Sequence, residues 1–317
     1  MIGLKEVIKA ILQSERIVIA CHVNPDGDCI GSLLALGLGL SSIGKRVYMV
    51  SQDGVPGRYQ KLPGADKVRK TVGKKTDMAI TVDCNAKEMV GKPFNVIRKT
   101  KCILEIDHHE FRKPFGNLFL IDTKASAVGE IVYRLFKYLK VGITKDIAQN
   151  ILTSIIVETN SFRLPVVRAL TFRICAALMK TGIDFSRLSE IVYWSKTKAG
   201  SVLSGRCMAN LKVIQKGKIA WTLVTRKDFT RARGKDEDVD SVANDILSIN
   251  TVKIAVFFRE QNAKFLRVSL RSKGRLNVAS IANKYGGGGH FDSAGCYIAN
   301  RKKTMVELIE AAKELLK

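Results

Sequence analysis

The chain has 317 residues, 46% of them apolar, which suits two domains and argues against global disorder. Its formal charge of +24, from 53 Lys and Arg against 29 Asp and Glu, favours polyanionic partners, although a Lys-rich solvated surface would give the same sum. No uncharged apolar run reaches about 18 residues, and seven scattered cysteines without a Cys-x-x-Cys pair argue against a membrane span and a disulfide framework.

Residues 1–15 read as an amphipathic helix carrying Lys5, Glu6, Lys9 and Glu15. They lack the pattern of a secretory signal, so we expect a cytoplasmic protein. Short apolar runs at 17–21, 46–50, 78–82, 102–106 and 118–121 predict strands. Segments 30–42, 127–139 and 145–158 predict helices. This alternation argues for a largely parallel sheet flanked by helices. Residues 169–181 and 185–196 read as helices. Strands are then expected at 209–215, 218–225, 253–260 and 264–270, and helices at 239–247, 278–284 and 304–316, which is the pattern of a smaller α+β mixed-sheet domain. The expected division is 1–185 for the first domain, 186–200 for a helical linker and 201–317 for the second. Basic residues are scattered, apart from short clusters such as 67–75.

The polar chemistry falls at the strand ends. His22-Val23-Asn24-Pro25-Asp26-Gly27-Asp28 follows the first strand, Asp83 the third and Asp107-His108-His109 the fourth. In a parallel sheet these positions share the carboxyl edge, where open α/β sheets bind ligands. Taken singly, Asp-Gly-Asp reads as a turn and a post-strand Asp as a helix cap. Taken together, carboxylates and imidazoles form a divalent-metal ligand set, because packed carboxylates without a cation repel. All four histidines, His22, His108, His109 and His290, lie inside such motifs. The ligand set is oxygen-rich with imidazoles, which suits two Mn2+ ions, with Mg2+ as a weaker alternative. Zinc is disfavoured because the alternation along the strands turns Cys21 and Cys84 away from their neighbours. Ser126 fits a helix N-cap, with Glu130 in the first turn.

These motifs resemble the DHH phosphoesterase superfamily. The stretch Gly286-Gly287-Gly288-Gly289-His290, followed by Ser293-Ala294-Gly295, resembles the glycine-rich motif of its associated C-terminal DHHA1 domain. The similarity spans nearly the whole chain, and the two-domain layout is most similar to the small oligoribonucleases that also dephosphorylate 3′-phosphoadenosine 5′-phosphate. The resemblance implies one metal on His22, Asp26 and Asp83 and another on Asp28, Asp83 and His108, with Asp83 bridging. It implies His109 at the phosphate as donor or acid, and Asp107 orienting a histidine ring. A family ligand is normally an Asp in a Thr-Asp-Thr segment; here Glu158 stands in that place and is the candidate further ligand.

In the second domain the resemblance implies a grip on the nucleotide through Arg271, Ser272, Gly287, Gly288, Gly289 and His290. Consecutive glycines let backbone N–H groups form an anion nest, although such a run also reads as a flexible loop. The expected partners are short RNA oligonucleotides and nucleotide phosphates, with no membrane; a homodimer is left open. The implied activity is hydrolysis of nanoRNA to mononucleotides and of 3′-phosphoadenosine 5′-phosphate to AMP. The alternatives are a cyclic-dinucleotide phosphodiesterase of the same superfamily and a non-catalytic nucleotide-binding protein.

Overall fold

The computed structural model describes residues 3–73 and 75–317; Met1, Ile2 and Lys74, the last in the basic cluster 67–75, lie outside them. The chain divides into two units, Met1–Ser195 and Lys196–Lys317.

In the first unit the elements run α1 (Leu4–Gln13), β1 (Arg16–Cys21), α2 (Gly27–Ser42), β2 (Arg46–Val50), β3 (Met78–Val82), the short turns α3 (Lys87–Val90) and α4 (Phe94–Ile97), and β4 (Cys102–Asp107). They continue with β5 (Leu118–Ile121), α5 (Val128–Leu139), α6 (Lys145–Glu158), α7 (Ala169–Met179) and α8 (Phe185–Tyr193). The five strands form a wholly parallel sheet in the order β2-β1-β3-β4-β5. Strand residues alternate between faces. Ile17, Ile19, Ile80, Leu104 and Ile106 pack against α1, α2, α5 and α6, while Val18, Ala20, Ala79 and Ile103 pack against α3, α4 and their loops. Cover on both faces is why these strands read as continuous apolar runs. Helix α2 is apolar nearly all round because it is buried by the sheet, α5 and α6. Its Gly31 lies so close to α6 that an added Cβ would stand 2.5 Å from the Asn150 carbonyl oxygen.

In the second unit the elements are α9 (Lys198–Ala209), β6 (Lys212–Ile214), β7 (Ile219–Val224), α10 (Arg226–Ala232), α11 (Val242–Leu247), β8 (Ile254–Glu260) and β9 (Phe265–Ser272). They end with α12 (Ala279–Lys284), β10 (Gly288–His290), β11 (Ser293–Ala299) and α13 (Lys302–Glu314). The sheet order is β10-β11-β9-β8-β7-β6, antiparallel except for the β7–β8 pair. Val256, Phe258, Val268 and Leu270 pack against α12 and α13; Ala220, Ala255 and Phe257 pack against α9, α10 and α11.

Several expectations shift. The division between the units falls at Ser195–Lys196, inside the stretch 186–200 expected as a linker; Leu188 and Ile191 of α8 lie in the first unit's core. The strand expected over 209–215 keeps only Lys212–Ile214, because α9 runs to Ala209. Helix α10 was not anticipated. Thr225 and Asp228 cap it reciprocally, a signal present in the sequence. Ser126 does not cap α5; Ala127 holds that position, and Ser126 Oγ donates to Glu130.

Candidate active site

The strand order reverses direction at β1 and β3, so the carboxyl ends of these neighbours open the crevice of a doubly wound sheet. His22 to Asp28 leave β1 there, Asp83 leaves β3, and Asp107 ends β4. Asp26 also serves as N-cap of α2, accepting from Cys29 N at 3.0 Å, which puts Asp28 in the first turn. Asp83 has φ +58, a left-handed conformation uncommon outside glycine, and this ends the strand's alternation at the site.

The side chains converge on Asp83. Its Oδ2 lies 3.5 Å from His22 Nε2, which is 3.8 Å from Asp26 Oδ1. Its Oδ1 lies 3.8 Å from His108 Nε2, which is 3.5 Å from Asp28 Oδ2 and 3.9 Å from Glu158 Oε1. Among the groups able to hold a metal are His22 with Asp26 and Asp83, and Asp28 with Asp83 and His108; Asp83, Asp107 and His109 form a further one around the same carboxylate. Asp28, Asp83, Asp107, His22, His108 and His109 are all buried.

The donors fit divalent ions. Asp83 Oδ1 is buried and accepts no hydrogen bond from the described residues. The N···O separations exceed hydrogen-bond length, yet suit neighbouring ligand atoms on one small ion bound at about 2.0–2.2 Å. Burial, and then the charges of Asp83 and Asp26, push the Asp28 carboxyl well above its usual range, a cost that a cation removes. Burial also acts against ionised Asp26, but His22 beside it outweighs this and holds the carboxyl well below the usual range. Burial and the neighbouring His109 charge lower His108, which favours the neutral imidazole a ligand must present. Among the described residues no cysteine joins a metal-capable group. Burial raises the Cys29 and Cys84 thiols well above their ordinary value.

His109 stands apart in character. Its Nδ1 lies 2.7 Å from Asp107 Oδ1, and a carboxylate only accepts, so Nδ1 carries the proton. Burial disfavours the charged ring, but the Asp107 carboxylate prevails and raises it to about 9.

Five supports were missed from sequence. Asp28 accepts from Ser154 Oγ at 2.6 Å, from Ser32 Oγ at 3.1 Å, and from Val128 N at 3.0 Å, the first N–H of α5, for which the helix itself offers no acceptor. Arg112 Nε donates to Asp107 Oδ2 at 3.0 Å, and its terminal nitrogen to Glu105. Glu105 was detectable: a carboxylate inside an apolar strand, two residues from Asp107 and so on the same face. Ser154 and the Val128 amide carried no signal.

In the second unit the glycine run is not an open nest. Gly288, Gly289 and His290 pair antiparallel with Gly295, Ala294 and Ser293. A Cβ on Gly287 would stand 2.1 Å from Gly295 O, so close strand packing accounts for that glycine. Ser272, expected at a phosphate, is buried and donates its hydroxyl to Leu276 O at 2.6 Å. Arg271, on the same strand, donates to Asn244 Oδ1 at 3.2 Å and to Leu270 O at 2.9 Å. No helix among the described residues is long and apolar enough to cross a membrane.

Comparison with known proteins agrees with this architecture. Residues 16–156 match the DHH family, N-terminal domain, and residues 219–317 match the DHHA1 domain. The bifunctional oligoribonuclease and PAP phosphatase NrnA of Thermus thermophilus is 29% identical, over 98% of this chain and 93% of that protein. Its namesake from Mycoplasma genitalium is 27% identical, over 99% of this chain and 98% of that protein. The crystal structure of an exopolyphosphatase-related protein from Bacteroides fragilis matches with a TM-score of 0.87 at 25% identity, covering 99% of this chain and 96% of that one. The chain belongs to the DHH family, with a DHHA1 domain as its C-terminal unit.

Proposed function

We propose that this protein hydrolyses short oligoribonucleotides to mononucleotides and 3′-phosphoadenosine 5′-phosphate to AMP, using two Mn2+ ions. The observation that carries this reading is Asp83, whose two oxygens face two separate groups of ligand atoms. His22, Asp26 and Asp83 would hold one ion, and Asp28, Asp83, His108 and Glu158 the other. Two such ions supply charge stabilisation at the phosphoryl oxygens and activation of the attacking water. A set rich in oxygen with two imidazoles favours manganese, and magnesium less strongly.

The protein's own groups do the remaining work. His109 donates from Nε2 to a phosphate oxygen, held by Asp107 at Nδ1. Ser32, Ser154 and the Val128 amide keep Asp28 in place. In the C-terminal unit Arg271, His290 and the backbone of the Gly287–Gly289 stretch bind a substrate phosphate or sugar; the Ser272 hydroxyl, already engaged, takes no part. Free cysteines throughout fit a reducing compartment, and we place the protein in the cytoplasm.

The test is a metal-replete assay of 3′-phosphoadenosine 5′-phosphate, pApA, a cyclic dinucleotide and RNA of two to about twenty nucleotides, each with Mn2+ and with Mg2+. We expect the highest kcat/KM on dinucleotides, hydrolysis of 3′-phosphoadenosine 5′-phosphate, and higher rates with Mn2+. Equal rates on dinucleotide and twenty-mer would sink the short-substrate reading. No hydrolysis of any of them would sink the enzyme.

A further inference from the structure

Strand parity sends Glu105 and Asp107 to the same side of the sheet, away from the main helical layer that receives Leu104 and Ile106. Both carboxylates are fully buried. Between them lies Arg112, its side chain 11% exposed. Its Nε donates to Asp107 Oδ2 at 3.0 Å and its terminal nitrogen to Glu105 Oε2. The other Glu105 oxygen accepts from the amides of Phe115, at 2.7 Å, and Gly116. The other Asp107 oxygen accepts from His109 Nδ1 at 2.7 Å and from His108 N at 2.8 Å. One edge of the Asp107 carboxylate is thus given to a guanidinium, the opposite edge to the imidazole.

We propose that Arg112, anchored on Glu105, is a positioning residue for His109. A carboxylate held at one oxygen can turn about its Cβ–Cγ bond. Held at both, it keeps the His109 ring in one orientation, with Nδ1 engaged and Nε2 presented. A buried Glu–Arg–Asp network is a poor source of stability, because desolvation offsets much of its attraction; orientation is the property it supplies. The planar guanidinium matters, since it must reach two carboxylates from one rigid fork, which an ammonium cannot do in the same geometry. The catalytic consequence rests on the function proposed above, whereas the orientation itself does not.

The test uses Arg112→Gln, Arg112→Lys and Glu105→Gln in the full chain. The protein has only four histidines, so the ring-nitrogen signals of His109 can be assigned in two-dimensional 15N–1H spectra of magnesium-loaded, 15N-histidine-labelled protein. We expect a slowly exchanging Nδ1 proton in the parent and its loss in both Arg112 variants, at unchanged pH. On pApA we expect kcat about 10–100-fold lower, with KM within about twofold. Lys should not restore either property. A folded Arg112→Gln protein with a parental His109 signal and parental kcat would overturn the proposal, as would full rescue by Lys. If Arg112→Gln does not fold, Glu105→Gln, which keeps the shape and removes the anchor's charge, decides by the same two readouts. Loss of the His109 signal in a protein whose parent hydrolyses no phosphoester would uphold the positioning role and sink the function.

Discussion

Asp83 is the residue on which the two halves of the site meet. Its left-handed backbone and unsatisfied Oδ1 are tolerable only where something else makes use of them. Asp83→Asn should leave the circular dichroism spectrum intact while abolishing hydrolysis and high-affinity Mn2+ binding in calorimetry, because the one carboxylate shared by both ligand groups becomes neutral. Loss of only one ion would refute the bridging role. Ser154 acts at one remove. Its hydroxyl donates to Asp28 and accepts from the Gly129 amide at 2.9 Å. Ser154→Ala leaves a buried carboxylate short of a donor, and we expect about 1–3 kcal/mol of lost stability in denaturant titration. Metal affinity should fall about 10–100-fold alongside it.

At the scale of elements, the approach of α2 to α6 sets where Asp28 and Glu158 stand. Gly31→Ala would drive a methyl group into the α6 backbone, so α6 must shift. We expect about 1–3 kcal/mol of destabilisation by thermal or chemical unfolding, and weakened metal binding because both ligands move with their helices. In the other unit, the α10 cap offers a pH test. Burial pushes Asp228 upward, but hydrogen bonds from Thr225 N at 2.9 Å and Thr225 Oγ1 at 2.7 Å, together with the Arg206 charge, outweigh it and hold the carboxyl below its ordinary value. A depressed folded-state value stabilises above the unfolded value of about 3.9 and is lost as pH falls through the folded one. The stability gap between parent and Asp228→Asn should therefore be full at pH 7 and shrink on acidification below about pH 4. Trp221 fluorescence in a Trp194→Phe background, reporting from β7, would follow it. A gap constant from pH 7 to pH 3 would exclude this role.

For the whole molecule, each unit has its own core, and no core cluster among the described residues spans both. Residues 196–317 should fold as an isolated fragment, with a cooperative melt and dispersed amide resonances, and without hydrolytic activity. The charge of +24 should act on encounter more than on chemistry. We expect kcat/KM for pApA to fall as ionic strength rises from about 0.05 to 0.5 M while kcat holds, since charges more than a Debye length apart are screened. A flat kcat/KM would reduce the charge to a solvated surface.

Much of this was legible in the chain itself. Residues 17–21, 78–82 and 102–106 are apolar runs each followed at once by acid or histidine. Because parallel strands share one carboxyl edge, that pattern alone brings His22, Asp83 and His108 to one crevice. What only the tertiary structure decided involves partners distant along the chain or chosen by packing. The Val128 amide reaches Asp28 across 100 residues, and Ser154 does so across 126. Their chemistry is that of an ordinary helix, and only the approach of α2, α5 and α6 makes them donors. The glycine run shows the converse. Its composition suits an anion nest as well as a tight strand, and the backbone of β11 lying against Gly287 selects the strand. Local periodicity and residue type therefore determined the sheet and its charged edge, whereas three-dimensional packing determined which groups hold that edge in place.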